Sequence, residues 1–328
     1  WYIENGDITV KAGTTGNDVT QNNKTTYGDK DTVITNQKTD TASSHTVTID
    51  AGNDKVEVKL DNVNIKTDSG SAITSKGDVT LTLKGENHLT GGNGDTYGGD
   101  GITSSGSLTI SGGTVTATGG NSTDSVGSGG SGIYSVSGDV TISGGTVTAN
   151  GGSGKDGYGG YGISSSDVAI SGGTVNANGG DSKDGYGGNG ISSSSGVAIS
   201  GGTVKAAGGN GKNGNGGNGI IGSGRVAISG GTVNAAGGDG GNGKDGGYGI
   251  ISRNIDLSGS LELTAKAGSP NGKALSRAGS ELELDTIKDK LDPGAKVTAI
   301  NANGDSKQVS IPRPVEPEKP VIPGESSS

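Results

Sequence analysis

The residues best suited to chemistry are four aspartates, Asp95, Asp156, Asp184 and Asp245, and four tyrosines, Tyr97, Tyr158, Tyr186 and Tyr248. All lie in Gly-rich segments, GGNGDTYGGDGI, GGSGKDGYGGYGI, GGDSKDGYGGNGI and GGDGGNGKDGGYGI, with each Asp just ahead of its Tyr. Carboxylate oxygens are the ligands that calcium takes, and a phenol ring offers a sugar a flat apolar face with a hydroxyl at its edge. If the segments stack along one edge of a repeating fold, the aspartates form an acidic ladder open to calcium, with a tyrosine ladder for carbohydrate beside it. A plainer reading stands next to this one. Lys155, Lys183 and Lys244 directly precede three of the aspartates and neutralise them, and the tyrosines cover Gly-rich strand ends.

Other chemistry finds less support. His45 and His88 are far apart, and neither has a His or Cys within metal-ligand spacing. A glycan hydrolase needs two carboxylates flanking the scissile bond, and a lyase needs a basic residue beside metal-bound carboxylates. Arg225, Arg253 and Arg277 do not fall beside a dense acidic cluster. A non-catalytic role is expected, with a polysaccharide lyase or hydrolase as an alternative.

The formal charge of -9 and the pI near 4.8 oppose a phosphate-binding surface, so no nucleic-acid partner is expected. No apolar stretch approaches the roughly 20 residues that cross a bilayer. The absence of Cys removes disulfides and thiolate metal sites, and suits a chain that works outside the cell.

The elements that position these segments follow from a repeat. Five units start at Ser111, Ser143, Ser171, Ser200 and Ser229, from SGGTVTATGG to SGGTVNAAGG, at intervals of 32, 28, 29 and 29 residues. Weaker copies occur at Leu60 to Ile65, Leu83 to Thr90 and Leu257 to Gly268. Each strong unit holds three short extended pieces: a GI piece (Ile102, Ile133, Ile163, Ile191, Ile220, Ile250), a VAI piece and a TVxA piece. Alternation sends Val168, Ile170, Val175 and Ala177 inward, and Ala169, Thr174 and Asn176 outward.

One such coil buries only about five small side chains, too few to offset the backbone entropy of nearly thirty residues, so coils must stack. The composition agrees: 70 Gly, 27% hydrophobic residues and no Phe or Met suit a thin core repeated many times, not a wide one. The expected fold is all-β, a right-handed single-stranded parallel β-helix (solenoid) of about nine coils of roughly 23–32 residues, three short strands per coil. The SGG corners, such as Gly112-Gly113, supply the positive φ that a sharp turn needs. Outward, Thr114, Thr146, Thr174, Thr203 and Thr232 form a column whose neighbour is mixed (Thr116, Thr148, Asn176, Lys205, Asn234), which opposes an ice-binding array. Ala169, Ala198 and Ala227 form a small apolar stripe on a flat face.

Residues 1–50 read as an N-terminal cap and first coils, 51–270 as the β-helix, 271–311 as a C-terminal cap and 312–328 as a Pro-rich linker. The linker, IPRPVEPEKPVIPGESSS from Ile311, reads as an extended spacer, and further domains of the same chain are expected beyond it. The chain opens at Trp1 without Met or signal peptide and reads as an excised piece of a larger protein.

The run VEVKLDNVNIKTDSGSAITSKGDVTLTLKGENHLTGG (Val56 to Gly92), followed by ISGGTV units, resembles a family of clostridial cell-surface parallel β-helix proteins described as carbohydrate-binding domains. The resemblance spans roughly residues 45 to 270. It implies binding of acidic plant polysaccharide of the pectin or cellulose type, with calcium implicated, and occurrence in wall-attached proteins of Gram-positive gut Firmicutes. On that basis the expected role is an extracellular carbohydrate-binding module or adhesin. Its partner would be a polysaccharide or host-cell glycan, and it would be held to the cell wall through a C-terminal region beyond this sequence. A structural stalk or protein-binding adhesin is the alternative.

Overall fold

The computed structural model describes residues 1–318 and 320–324, and the chain winds through them as a right-handed β-solenoid of about eight turns. Three parallel sheets run the length of the rod. In the first, the Ile columns pair in register, from Ile8 through Val47, Ile73, Ile102, Ile133, Ile163, Ile191, Ile220 and Ile250 to Leu275. The second stacks Val140, Val168, Val197 and Val226, and the third stacks Val115, Val147, Val175, Val204, Val233, Leu263 and Val297.

These columns are buried in one continuous core, while Ala169, Ala198 and Ala227 face outward on the second sheet as alternation requires. Small β-branched residues suit this interior because each wall of the coil is only a few residues long. A Val on one coil packs on the Val above and below, and a larger ring would not fit between them. A serine stands two residues after most of these Ile residues, with Gly222 in that place after Ile220, and the serines also point inward. Ser135, Ser165 and Ser193 donate their hydroxyls to the carbonyls of Gly106, Gly138 and Ser166 at 3.0, 2.6 and 2.6 Å, satisfying backbone groups at the corner between the first two sheets.

The strand Ile73–Thr90 turns two corners without a break, at Gly77 (φ 76°) and Gly85 (φ 65°). In the SGG corner it is Gly112 of the first unit that takes positive φ, whereas in the following units it is the second glycine, as at Gly145 and Gly173. Both ends of the rod are closed. At the N terminus Ile8–Ala12, Asn17–Gln21 and Lys24–Asp29 fold into an antiparallel meander. At the other end a 3-10 helix, Leu284–Lys290, packs its Leu284 and Ile287, and Ser306–Ser310 pairs antiparallel with Lys296–Ile300. These closures convert open strand edges into paired ones. Past Ile311 the described part of the Pro-rich linker has no regular structure, and Lys319 and residues 325–328 of that linker lie outside the described residues.

Candidate functional site

The Gly-rich segments leave the third sheet, reach a tip and return to the first sheet, and they stack as a lobe on one edge of the rod. Their outgoing and returning arms are tied by a chain of glycine hydrogen bonds. The amide of Gly99 donates to the carbonyl of Gly92, Gly120 to Gly99, Gly130 to Gly120, and so on through Gly152 and Gly160 to Gly268 donating to Gly247, each at 2.7 or 2.8 Å. None of these glycines has positive φ. They are required because the backbones touch: a Cβ on Gly160 would overlap the carbonyl oxygen of Gly130, and one on Gly188 that of Gly160.

Because the returning arm is locked to the Ile column, side chains in the lobe align by their distance from that Ile. Tyr97 bridges to Ser128, whose hydroxyl accepts the Tyr158 amide at 3.0 Å, and Gly129 and Gly159 donate to the carbonyls of Tyr158 and Tyr186. The column therefore reads Tyr97, Ser128, Tyr158, Tyr186, Asn215, Asp245. The last step is marked by the Asp245 amide donating to the Asn215 side chain at 2.9 Å. A neighbouring column reads Ser131, Tyr161, Asn189, Asn218, Tyr248, and there the Tyr248 amide donates to Asn218 Oδ1 at 2.9 Å.

The expected ladders are corrected accordingly. Tyr248 does not continue the Tyr97, Tyr158, Tyr186 column. It is half-buried in the Tyr161 column, with Lys273 Nζ 5.6 Å from its ring centre. Asp245 occupies a tyrosine place rather than the place of Asp156 and Asp184, and Asn271 donates to it at 3.0 Å. Asp95 faces the next coil at Thr123, whose hydroxyl donates to it at 3.1 Å. Of the four aspartates, only Asp156 and Asp184 meet directly. Contact with the Asp184 carboxylate pushes the Asp156 carboxyl above its ordinary range, and Asn213, donating at 2.7 Å, holds Asp184 below its own. Lys155 and Lys183 lower the repulsion between the two. Among the described residues no group of three or more His, Asp or Glu side chains converges as a cation cage would need.

The tyrosines do assemble. Tyr158 and Tyr186, both about half exposed, place their ring centres 5.3 Å apart with planes inclined by 49°. Towards the N terminus, where Ser128 interrupts the column, a cleft of about 390 Å³ opens between Tyr97 and Tyr158. Tyr134 and Tyr161 also line it, so four of the chain's eight tyrosines gather here. Its floor is backbone at Gly98, Gly129, Gly130 and Gly160, and its one charged lining side chain is Asp100. Burial pushes the Asp100 carboxyl above the usual carboxylate range, against the pull of hydrogen bonds from the Thr103 hydroxyl (2.7 Å) and the Ser131 amide (2.8 Å). Burial likewise raises the Tyr161 hydroxyl, with Tyr158 and Tyr134 adding to the effect.

Sequence reasoning missed Tyr134, Tyr161 and Asp100. The signal was present, since Asp100 and Tyr161 stand two residues before Ile102 and Ile163, and Tyr134 directly follows Ile133. A larger hollow of about 920 Å³ lies between the N-terminal meander and Asp54–Lys55. Tyr27 is its only ring and its floor is polar, so it offers a sugar little stacking surface. His45 is engaged by the Ile3 carbonyl at 2.9 Å, His88 is exposed on the third sheet, and Arg225 pairs with Asp256.

Fold and lobe together define a parallel β-helix protein. A sequence model described as a beta helix repeat matches residues 108–132, 140–167 and 168–195, ranges that include Ser128, Tyr158, Tyr161 and Tyr186 but not Tyr97, Asp100 or Tyr134. No curated protein and no solved structure matches the chain.

Proposed function

We propose that this β-helix is a non-catalytic carbohydrate-binding or adhesion module of an extracellular surface protein, and that the glycine lobe carries its binding site. The observation that carries the reading is the gathering of Tyr97, Tyr134, Tyr158 and Tyr161 around one open cleft, continued by Tyr186. Aromatic rings held on a rigid backbone lose little conformational entropy on binding, and their faces match the apolar C–H faces of pyranose rings. The cleft is lined by a single carboxylate, Asp100, whereas glycoside hydrolysis ordinarily uses a pair, so binding is favoured over cleavage.

The test is to incubate the protein with pectic, cellulosic and host glycans while measuring retention and new reducing ends together. Retention without release supports a binder. Steady protein-dependent cleavage would replace it with an enzyme.

A second reading, a structural stalk or protein-binding adhesin, draws on the capped rod followed by a Pro-rich segment whose described residues have no regular structure. Retention on no glycan favours that reading.

A further inference from the structure

We propose that the gap between Tyr97 and Tyr158 is a subsite for one neutral pyranose ring of a longer glycan lying along the rod, and that Asp100 sets its preference against uronic acids. The inference rests on the carbohydrate-binding reading and adds to it a position, a register and a charge class.

The position comes from the interrupted column. Tyr97 and Tyr158 stand in equivalent places two coils apart, roughly 10 Å at the spacing of stacked strands, and Ser128 fills the place between them with only a hydroxymethyl group. Tyr158 and Tyr186, one coil apart, are already in ring contact at 5.3 Å. One ring is therefore missing above Ser128, which leaves a gap about one coil long in the column. Since a coil rises by about the length of one pyranose along a glycan chain, a sugar in this gap places its neighbour over Tyr158 and Tyr186.

The charge class comes from the lining. No Lys or Arg lines the cleft, and Asp100 is its only charged group. A uronate carboxylate here would meet a second carboxylate with no cation to offset it. A neutral sugar brings hydroxyl donors instead. Asp100 Oδ1 accepts from the Ser131 amide and Oδ2 from the Thr103 hydroxyl, which leaves each oxygen a further lone pair for a sugar hydroxyl. Such a donor also relieves the burial of the carboxylate.

The test is calorimetric titration of the whole chain with size-matched hexasaccharides: neutral gluco-, galacto- and manno-configured chains, and oligogalacturonate. Wild type is compared with Tyr158→Ala, Ser128→Tyr and Asp100→Asn, and the circular dichroism melt of each variant confirms its fold. At least one neutral hexasaccharide is expected to bind in preference to oligogalacturonate. Tyr158→Ala removes a stacking face, and Ser128→Tyr fills the gap. Each is expected to weaken that binding by about tenfold. Asp100→Asn narrows the preference by raising the relative affinity for oligogalacturonate. Oligogalacturonate binding at or above the neutral chains in wild type, lost in Tyr158→Ala, overturns the neutral subsite and leaves carbohydrate binding standing. Glycan binding indifferent to both Tyr158→Ala and Ser128→Tyr overturns the position and likewise spares the broader reading. Binding of none of the four removes both.

Discussion

The rings of Tyr158 and Tyr186 lie 5.3 Å apart, inclined by 49°, and join two consecutive coils outside the core. Both rings are about half exposed, so the contact excludes little water from the rod itself. It fixes an aromatic surface at a defined distance from the Tyr97 cleft. A Tyr158→Ala, Tyr186→Ala double-mutant cycle, read by chemical denaturation, is expected to give a coupling of about 0.5–1 kcal/mol, with each single change costing about 1 kcal/mol or less. A cost above about 3 kcal/mol for either one would show that these rings hold the coils together.

The glycine lobe makes a paired prediction. Gly160→Ala places a methyl group against the Gly130 carbonyl, a backbone atom fixed by its own hydrogen bonds, and is expected to cost roughly 2–4 kcal/mol. Gly144→Ala at an SGG corner meets nothing within 4 Å and is expected to stay within about 0.5 kcal/mol of wild type. Equal costs at the two positions, measured by urea denaturation, would contradict the close-packed lobe.

In the core, Val175 is fully buried between Val147 and Val204. Val175→Asp leaves a carboxylate without a partner in a narrow apolar column and is expected to cost several kcal/mol. Cooperative melting at the wild-type midpoint would refute that placement.

Asp100 gives a pH signature with a definite sign. Burial raises its folded-state pKa, so the folded chain holds that proton more tightly than the unfolded chain does. Its contribution is fully present below the ordinary carboxylate pKa and is lost as pH rises through the raised value. Asp100→Asn keeps a side-chain oxygen for the Ser131 amide and removes the titration. Relative to wild type, the variant is expected to gain stability as pH rises from about 3 to 7. Melting midpoints of the two proteins that run parallel across this window would show that Asp100 does not titrate abnormally.

Calcium is expected to leave the thermal midpoint unchanged within about 1 °C. Asp156 and Asp184 meet as an exposed pair with Lys155 and Lys183 beside them, while Asp95 is two coils from Asp156 with Val126 between them and Asp245 takes a tyrosine place. A calcium-dependent rise that disappears in Asp156→Asn, Asp184→Asn would restore the cation site.

The rod was legible in the sequence because its core obeys two short rules: period two within a strand, and a nearly constant interval between strands. Val175 and Ile170 could be placed inside from their neighbours alone. Register in the lobe was harder to read, because tips of different length intervene between the outgoing and returning arms. Aligning the segments on their Lys-Asp-Gly motif puts Asp245 beside Asp184, whereas the residues four past the outgoing glycine pair are Asp184, Asn213 and Asn242, which contact one another in turn. The hydrogen bonds count backward from the Ile, and Asp245 stands five residues before Ile250, as Tyr186 does before Ile191. The same rule separates Tyr248 from Tyr186 and groups it with Tyr161. Asp100 escaped notice because its carboxylate shares a column with serine, tyrosine and asparagine, so no repeated acidic residue marked it.

The glycine chain also divides each coil into a part whose length is fixed and a part whose length is free. Gly92 and Gly99 bracket a shorter tip than Gly120 and Gly130, yet both pairs close with the same amide-to-carbonyl bond. A residue inserted in either arm shifts every later glycine out of reach of its partner, whereas one inserted at the tip leaves the bonds below it untouched. The lobe is thus a row of permissive insertion points mounted on a rigid spine, one per coil. Foreign peptides grafted there would be displayed in single file at a pitch set by the stacking of the strands.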